Sequence, residues 1–176
     1  MFSIIGVVLA VAVLAILVFA ATKPSSFQVQ RRQAIAAAPD TIFPLINDFH
    51  HWEAWSPWGK LDPAQVITYA GAEQGVGAQY AWVGNSKVGA GKMEILGSRP
   101  VEQVQLKIEF FKPMPGVSDV TFTLVPEGPA TQVTWSMVGP RPFLGRVFSV
   151  FMDIDGMIGK DFERGLASLK QVAEAR

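Results

Sequence analysis

Few residues in this chain are equipped for chemistry. Its two histidines are adjacent, His50 and His51, with Asp48 and Glu53 close by. One imidazole and one of these carboxylates would make an acid–base pair, the carboxylate fixing the tautomer. Neighbouring residues cannot aim both rings at one ion from a single helix or strand, so the spacing of HExxH is missing. Nothing nearby completes a site, and a polar loop is the expected reading. Asp153 and Asp155 form the second cluster, within a C-terminal stretch of helical period. Residues two apart lie on different helix faces, so at most one would point inward, where burial would raise its pKa. A solvated helix face is the plainer expectation for both. These four residues are weak catalytic candidates.

Other motifs fail on their own terms. Gly89-Ala90-Gly91-Lys92-Met93 approximates a phosphate loop, but Ser86 stands where the first glycine belongs and Met93 where a hydroxyl must hold magnesium. Gly75-Val76-Gly77 reads as a turn between strands, because no helix follows it. There is no G-x-S-x-G elbow. Cysteine is absent, which removes disulfides, thiolate-bound zinc, iron–sulfur clusters and thiol nucleophiles together. No metal or cofactor is expected.

Bulky apolar side chains are the richer set. Tyr80 with Trp82, Met93 with Ile95, and Trp135 with Met137 each share one face of a strand-like segment. Met152 and Met157 fall in the helical C-terminal stretch. Such adaptable side chains suit an irregular pocket, and they suit an ordinary core equally well.

The elements that would position them follow from periodicity. Phe27–Ile35 reads as a strand. Ala38-Pro39-Asp40 opens a short helix with Ile42, Phe43, Leu45 and Ile46 on its apolar side. Asp48–Trp58 is dense in aromatics and reads as a second short helix ending in a loop. Six strand-like segments follow, at 66–69, 78–83, 88–96, 101–111, 120–125 and 132–138. Turn residues separate them, as expected of an antiparallel meander. Alternation is cleanest in Val104, Leu106, Ile108 and Phe110, and in Val120, Phe122 and Leu124. Phe148, Phe151, Ile154, Ile158, Phe162, Leu166, Leu169 and Ala173 then recur at helical spacing. Gly156, Gly159 and Gly165 weaken that helix, with a break expected near Gly156. The expected architecture is α+β: a curved antiparallel sheet of about seven strands closed by one long amphipathic helix, the short helices plugging one end.

The charges sit on one side of a boundary. Met1–Ala21 holds no charged residue, whereas all fifteen basic and fifteen acidic side chains follow it. A helix of that length spans about 30 Å, the thickness of a bilayer core. No Lys or Arg precedes the run and Val18-Phe19-Ala20 is a poor cleavage site, so a single-pass anchor is expected rather than a signal peptide. Lys23, Arg31 and Arg32 follow the run and place the domain on the cytoplasmic side. The expected division is therefore 1–21 transmembrane, 22–26 linker and 27–176 a single domain. The charge balance gives no field for nucleic acid, and no basic cluster in the sequence suggests an anionic-lipid patch. Nothing fixes an oligomeric state.

The order of elements resembles the SRPBCC superfamily of START-like, helix-grip proteins, and within it the bacterial polyketide cyclase/dehydrase and lipid-transport branch. The resemblance covers residues 27–176. It rests on Ala38-Pro39-Asp40-Thr41-Ile42-Phe43, on the block from Asp48 to Trp58, on Gly75-Val76-Gly77-Ala78, and on Tyr80, Trp82, Gly84 and Asn85. Thr131-Gln132-Val133-Thr134-Trp135 and Asp161-Phe162-Glu163-Arg164-Gly165-Leu166 complete it. The family implies an apolar cavity between sheet and long helix for a lipid or another hydrophobic small molecule. On that implication Trp52, Trp55, Tyr80, Trp82, Met93, Phe110, Phe122, Trp135, Met137 and Met152 would line it. No catalytic constellation of the family's enzymes matches. Three readings follow: a membrane-anchored hydrophobic-ligand binder, a cyclase- or dehydratase-type enzyme using ionisable cavity residues, and a pocketless interaction module docking through Trp52–Trp58.

Overall fold

The computed structural model describes residues 2–176, with side chains from Ile4 onward. Helix α1, Phe2–Thr22, has the large apolar side chains of its described residues exposed and meets the rest of the chain at its C-terminal end, where Ala20 is buried. It is long and apolar enough to cross a membrane, a test that a signal sequence also meets. Three residues, Lys23-Pro24-Ser25, separate it from the first strand.

Seven antiparallel strands make one sheet: β1 Ser26–Ile35, β2 Val66–Gly71, β3 Ala78–Val83, β4 Ala90–Arg99, β5 Gln103–Lys112, β6 Gly116–Glu127 and β7 Ala130–Pro140. Strands β2 to β7 form a meander, and β1 pairs with β7, giving the order β1-β7-β6-β5-β4-β3-β2. The cause is the period-two pattern. In β7 Thr131, Val133, Trp135 and Met137 are buried, while the residues between them are only partly covered. In β6 Ser118, Val120, Phe122 and Leu124 do the same. Register locks the faces together, pairing Phe122 with Trp135 and Val120 with Met137.

Helix α2, Pro39–Asn47, begins at a proline and buries Ile42, Phe43, Leu45 and Ile46. A 3-10 helix, Phe49–Ala54, follows and buries Phe49 and Trp52. Its start is capped by Asp48, whose carboxylate accepts from the His50 amide at 2.9 Å.

The closing helix is shorter than the apolar spacing implied. Helix α3, Phe143–Phe148, is followed by turns, and α4 runs from Ile154 to Glu174. The break falls at 149–153, ahead of Gly156, because Asp153 caps α4 by accepting from the Gly156 amide at 2.9 Å. Phe162, Leu166, Leu169 and Ala173 are buried as their spacing requires. Phe148 and Phe151, placed on the same apolar face by the sequence, are instead exposed. They belong to the segment before the break, which has its own orientation.

Two glycines in α4 earn their place by close approach. A Cβ on Gly165 would lie 2.7 Å from the Trp135 ring and 3.1 Å from Pro57. A Cβ on Gly159 would fall on the Arg31 guanidinium. Each costs about 1 kcal/mol in helix propensity relative to alanine, and each lets the helix axis sit against the sheet.

Candidate functional site

A nearly unbroken run of aromatic rings begins between the sheet and α4 and continues through the 3-10 helix to β3 and β5. Phe162 on α4 stacks on Trp135 of β7, with ring centres 4.1 Å apart and planes 7° from parallel. Trp135 meets Phe122 at 4.8 Å, and both meet Trp55 edge-on at 5.7 and 6.0 Å. Trp55 lies 4.8 Å from Trp52, which leads through Phe49 to Tyr80, Trp82 and Phe110. Offset and edge-on contacts of this kind contribute about 0.5–1.5 kcal/mol each beyond area burial.

Indole hydrogen bonds to backbone carbonyls nearby in sequence hold three of the rings in place. The Trp52 and Trp55 indoles donate to the Ile46 and Leu45 carbonyls, each at 2.9 Å, satisfying acceptors near the C-terminal end of α2. Trp82 donates to the Val88 carbonyl at 3.0 Å. Trp135 differs: its indole N–H is buried with no partner in the protein. Leaving such a donor unmet costs about 1–3 kcal/mol.

Of the ten residues expected to line a cavity, Trp52, Trp55, Trp82, Met93, Phe122, Trp135 and Met137 are buried. Tyr80 and Phe110 are partly buried and pack against the same cluster. Met152 is a correction. It lies in the segment between α3 and α4 and is exposed, because the chain leaves the helix before reaching it. The sequence placed Phe162 toward the sheet without recognising that it closes the ring stack; Phe49 was missed as part of it, and so was Tyr69, which meets Tyr80 edge-on at 5.7 Å from the exposed side.

The four ionisable candidates lie at the surface. His50 Nδ1–H donates to Asp48 Oδ1 at 2.8 Å, and its ring stacks on Tyr69 with centres 4.2 Å apart. His51 Nδ1–H donates to the Pro44 carbonyl at 3.1 Å, which only the protonated nitrogen can do. Asp153 serves as the helix cap. Asp155 accepts from Arg31 at 2.9 Å, while Glu163 takes the same guanidinium at 2.7 Å. The Arg31 hydrogen bond, helped by its charge, holds the Asp155 carboxyl below the usual carboxylate range. Arg31 is the unexpected member. It sits at an inward position of β1, opposite Trp135, and its partners are two turns apart on α4. Among the described residues no group of three or more metal-ligating side chains comes together.

Two cavities flank this interior. A depression of about 170 Å³ lies at the Tyr69 end, lined among others by Phe49, His50, Ala78 and Gln79. It is smaller than the ~300–1,000 Å³ typical of ligand pockets. Burial raises the Tyr69 hydroxyl pKa here, and pushes that of Tyr80 up to about 12. A larger groove of about 490 Å³ lies near the end of α1, where Lys23 and Arg141 meet Val150, Phe151 and Met152. Asp153 and Asp155 also line it.

Comparison with solved structures returns the same architecture. A protein from Mesorhizobium loti matches at TM-score 0.62 and 18% identity, over 85% of this chain and 98% of the other. One from Chromobacterium violaceum matches at TM-score 0.60 and 15% identity, over 86% and 99%. Ginseng major latex-like protein 151 from Panax ginseng matches at TM-score 0.57 and 16% identity, over 86% and 97%. At such identities the likeness is one of fold. No curated protein matches the sequence. The sheet, its gripped helix and the family model matching residues 26–174 agree, and the chain belongs to the polyketide cyclase / dehydrase and lipid transport family, with the START-like, helix-grip fold of the SRPBCC superfamily.

Proposed function

We propose that the protein is a membrane-anchored binder of a hydrophobic small molecule or lipid, with α1 as a single-pass anchor, residues 22–26 as a linker and the domain on the cytoplasmic side. The observation that carries the reading is the ring-lined interior under α4, in a family whose description includes lipid transport. The rings are packed against one another, so a ligand enters by displacing them or by lifting α4. The unmet Trp135 donor adds a chemical requirement: the ligand carries a hydrogen-bond acceptor, such as a carbonyl or carboxylate, beside its apolar body.

Native mass spectrometry of the detergent-extracted full chain tests this, together with tryptophan emission during titration with a long-chain fatty acid. All five tryptophans lie in or beside the ring cluster, so occupancy shifts their emission. A retained lipid or a saturable shift is expected. Trp135→Phe should weaken a carboxylate-bearing ligand more than a plain hydrocarbon. No adduct and no shift would overturn the reading.

A pocketless interaction module is favoured by the close stacking itself. With Trp52 and Trp55 buried, such a module would not dock through those two side chains. The catalytic reading needs an ionisable group in the interior. His50, His51, Asp153 and Asp155 are instead spent on surface hydrogen bonds, a helix cap and an ion pair.

A further inference from the structure

We infer that the segment from Phe143 to Met152 is a second membrane contact, which seats the domain on an anionic phospholipid surface beside α1. This inference rests on reading α1 as an anchor. Phe143, Leu144, Val147, Phe148 and Phe151 fall within an arc of about 140° when α3 and its following turns are read at 3.6 residues per turn. Helical hydrogen bonding continues past α3, from the Phe151 amide to the Phe148 carbonyl at 3.0 Å. Four of these side chains are exposed, Leu144 at 65% and Phe151 at 70%, and Met152, next in the chain, is exposed too. Contiguous exposed apolar surface of this kind is uncommon on soluble domains and marks a contact site.

What covers it follows from where it sits. The Arg146 guanidinium donates to the carbonyls of Ala21 and Lys23, at 3.2 and 3.4 Å. Lys23 in turn donates to the Ser149 carbonyl at 3.0 Å. These bonds fix α3 to the last turn of α1, at the level where an anchor helix leaves the bilayer. The apolar arc therefore continues the apolar surface of α1. The same end of the domain gathers Lys23, Arg141 and Arg146, none of which forms an ion pair among the described residues. Lys23 and Arg141 border the 490 Å³ groove, which Asp153 and Asp155 also line; those two carboxylates are engaged by the Gly156 amide and by Arg31. Apolar side chains with cations behind them match the acyl boundary and the phosphate layer of an anionic leaflet. The linear sequence showed no basic cluster because the three cations come from opposite ends of the chain.

The lack of cysteine makes the test clean. Single-cysteine variants Leu144→Cys, Phe151→Cys, Lys87→Cys and Leu9→Cys of the full chain are labelled with an environment-sensitive fluorophore. They are reconstituted in vesicles of about four parts phosphatidylcholine to one part phosphatidylglycerol, with no quencher, with a nitroxide near the top of the acyl chain, or with a nitroxide near its end. Labels at 144 and 151 should each lose roughly half or more of their emission to the shallow quencher, since interfacial helices bury side chains about 5–10 Å deep, and the label at 9, near the middle of α1, should lose as much to the deep one. The label at 87 should not. Removing phosphatidylglycerol, or introducing Arg141→Gln, should reduce quenching at 151 and leave position 9 unchanged. Quenching at 9 without quenching at 144 and 151 overturns the second contact and leaves the anchor standing. Quenching at none of the three overturns the anchor, and this inference with it. Quenching at 144 and 151 that ignores both changes overturns the anionic preference.

Discussion

Phe162→Ala separates a packed interior from a loose one. Phe162 is 1% exposed, and its ring lies flat on Trp135 at 4.1 Å. Removing it forfeits about 1.5–3 kcal/mol of apolar transfer and about 0.5–1.5 kcal/mol of ring contact, and leaves a cavity. Large-to-small changes of this kind cost about 3–5 kcal/mol in total. Alanine recovers about 0.5 kcal/mol through better helix propensity, too little to change the sign. Each kcal/mol lowers Tm by about 2–4 °C in a domain of this size, so a fall of roughly 6–20 °C is expected. Urea unfolding of the full chain in detergent, followed by tryptophan emission, measures the loss directly, and the m-value should not change. Benzene or indole should restore part of the loss by filling the void, because either binds the folded state alone. A loss under about 1 kcal/mol with no rescue would show that the α4–sheet interface collapses freely, and the closed ring stack would be wrong.

Four further outcomes follow from the structure. Gly165→Ala sets about 1 kcal/mol of helix propensity against overpacking of about 1–3 kcal/mol at Trp135 and Pro57; net destabilisation is expected, and a gain in Tm would refute the close approach. Arg31→Met removes the partner of Asp155 and Glu163, so amide exchange should quicken in the first turns of α4 and stay slow around Leu169; uniform protection would sink the idea of a local clamp. Because Asp155 titrates below its unfolded value, that contribution is present above the usual carboxylate range and disappears as pH falls through the folded pKa; wild type should lose stability there, and the variant should lose less. Tyr80 behaves in the opposite sense: the folded state keeps its proton up to about pH 12, so stability should fall as pH rises above about 10, and phenolate absorbance should show both tyrosines titrating above the ordinary value, Tyr80 near pH 12.

Much of the fold was legible because one face of each central strand is dry. Val104 and Leu106 in β5, and Val120, Phe122 and Leu124 in β6, alternate in sequence and are buried in space. Pro39 marked the start of α2 for a steric reason that holds locally. What failed was whatever depends on two apolar surfaces looking alike. Phe148 and Phe151 keep helical spacing with Phe162, and spacing cannot say whether an apolar arc faces a sheet or stands outside it. Arg31 was overlooked because its partners lie across the fold at Asp155 and Glu163. The unmet Trp135 donor is visible only once its neighbours are known to be rings.

The three residues between α1 and β1 limit how such a protein would work. Fully extended they reach about 10 Å, and they are not slack. The Arg141 amide donates to the Ser25 carbonyl at 2.6 Å, and Arg146 holds the end of α1. A domain anchored this way has no swing and cannot cross to a facing membrane with a molecule on board. It would act as a fixed station, exchanging ligand with the leaflet beneath it or with a soluble acceptor that comes to it. In any relay between two membranes, the moving part would have to be another protein.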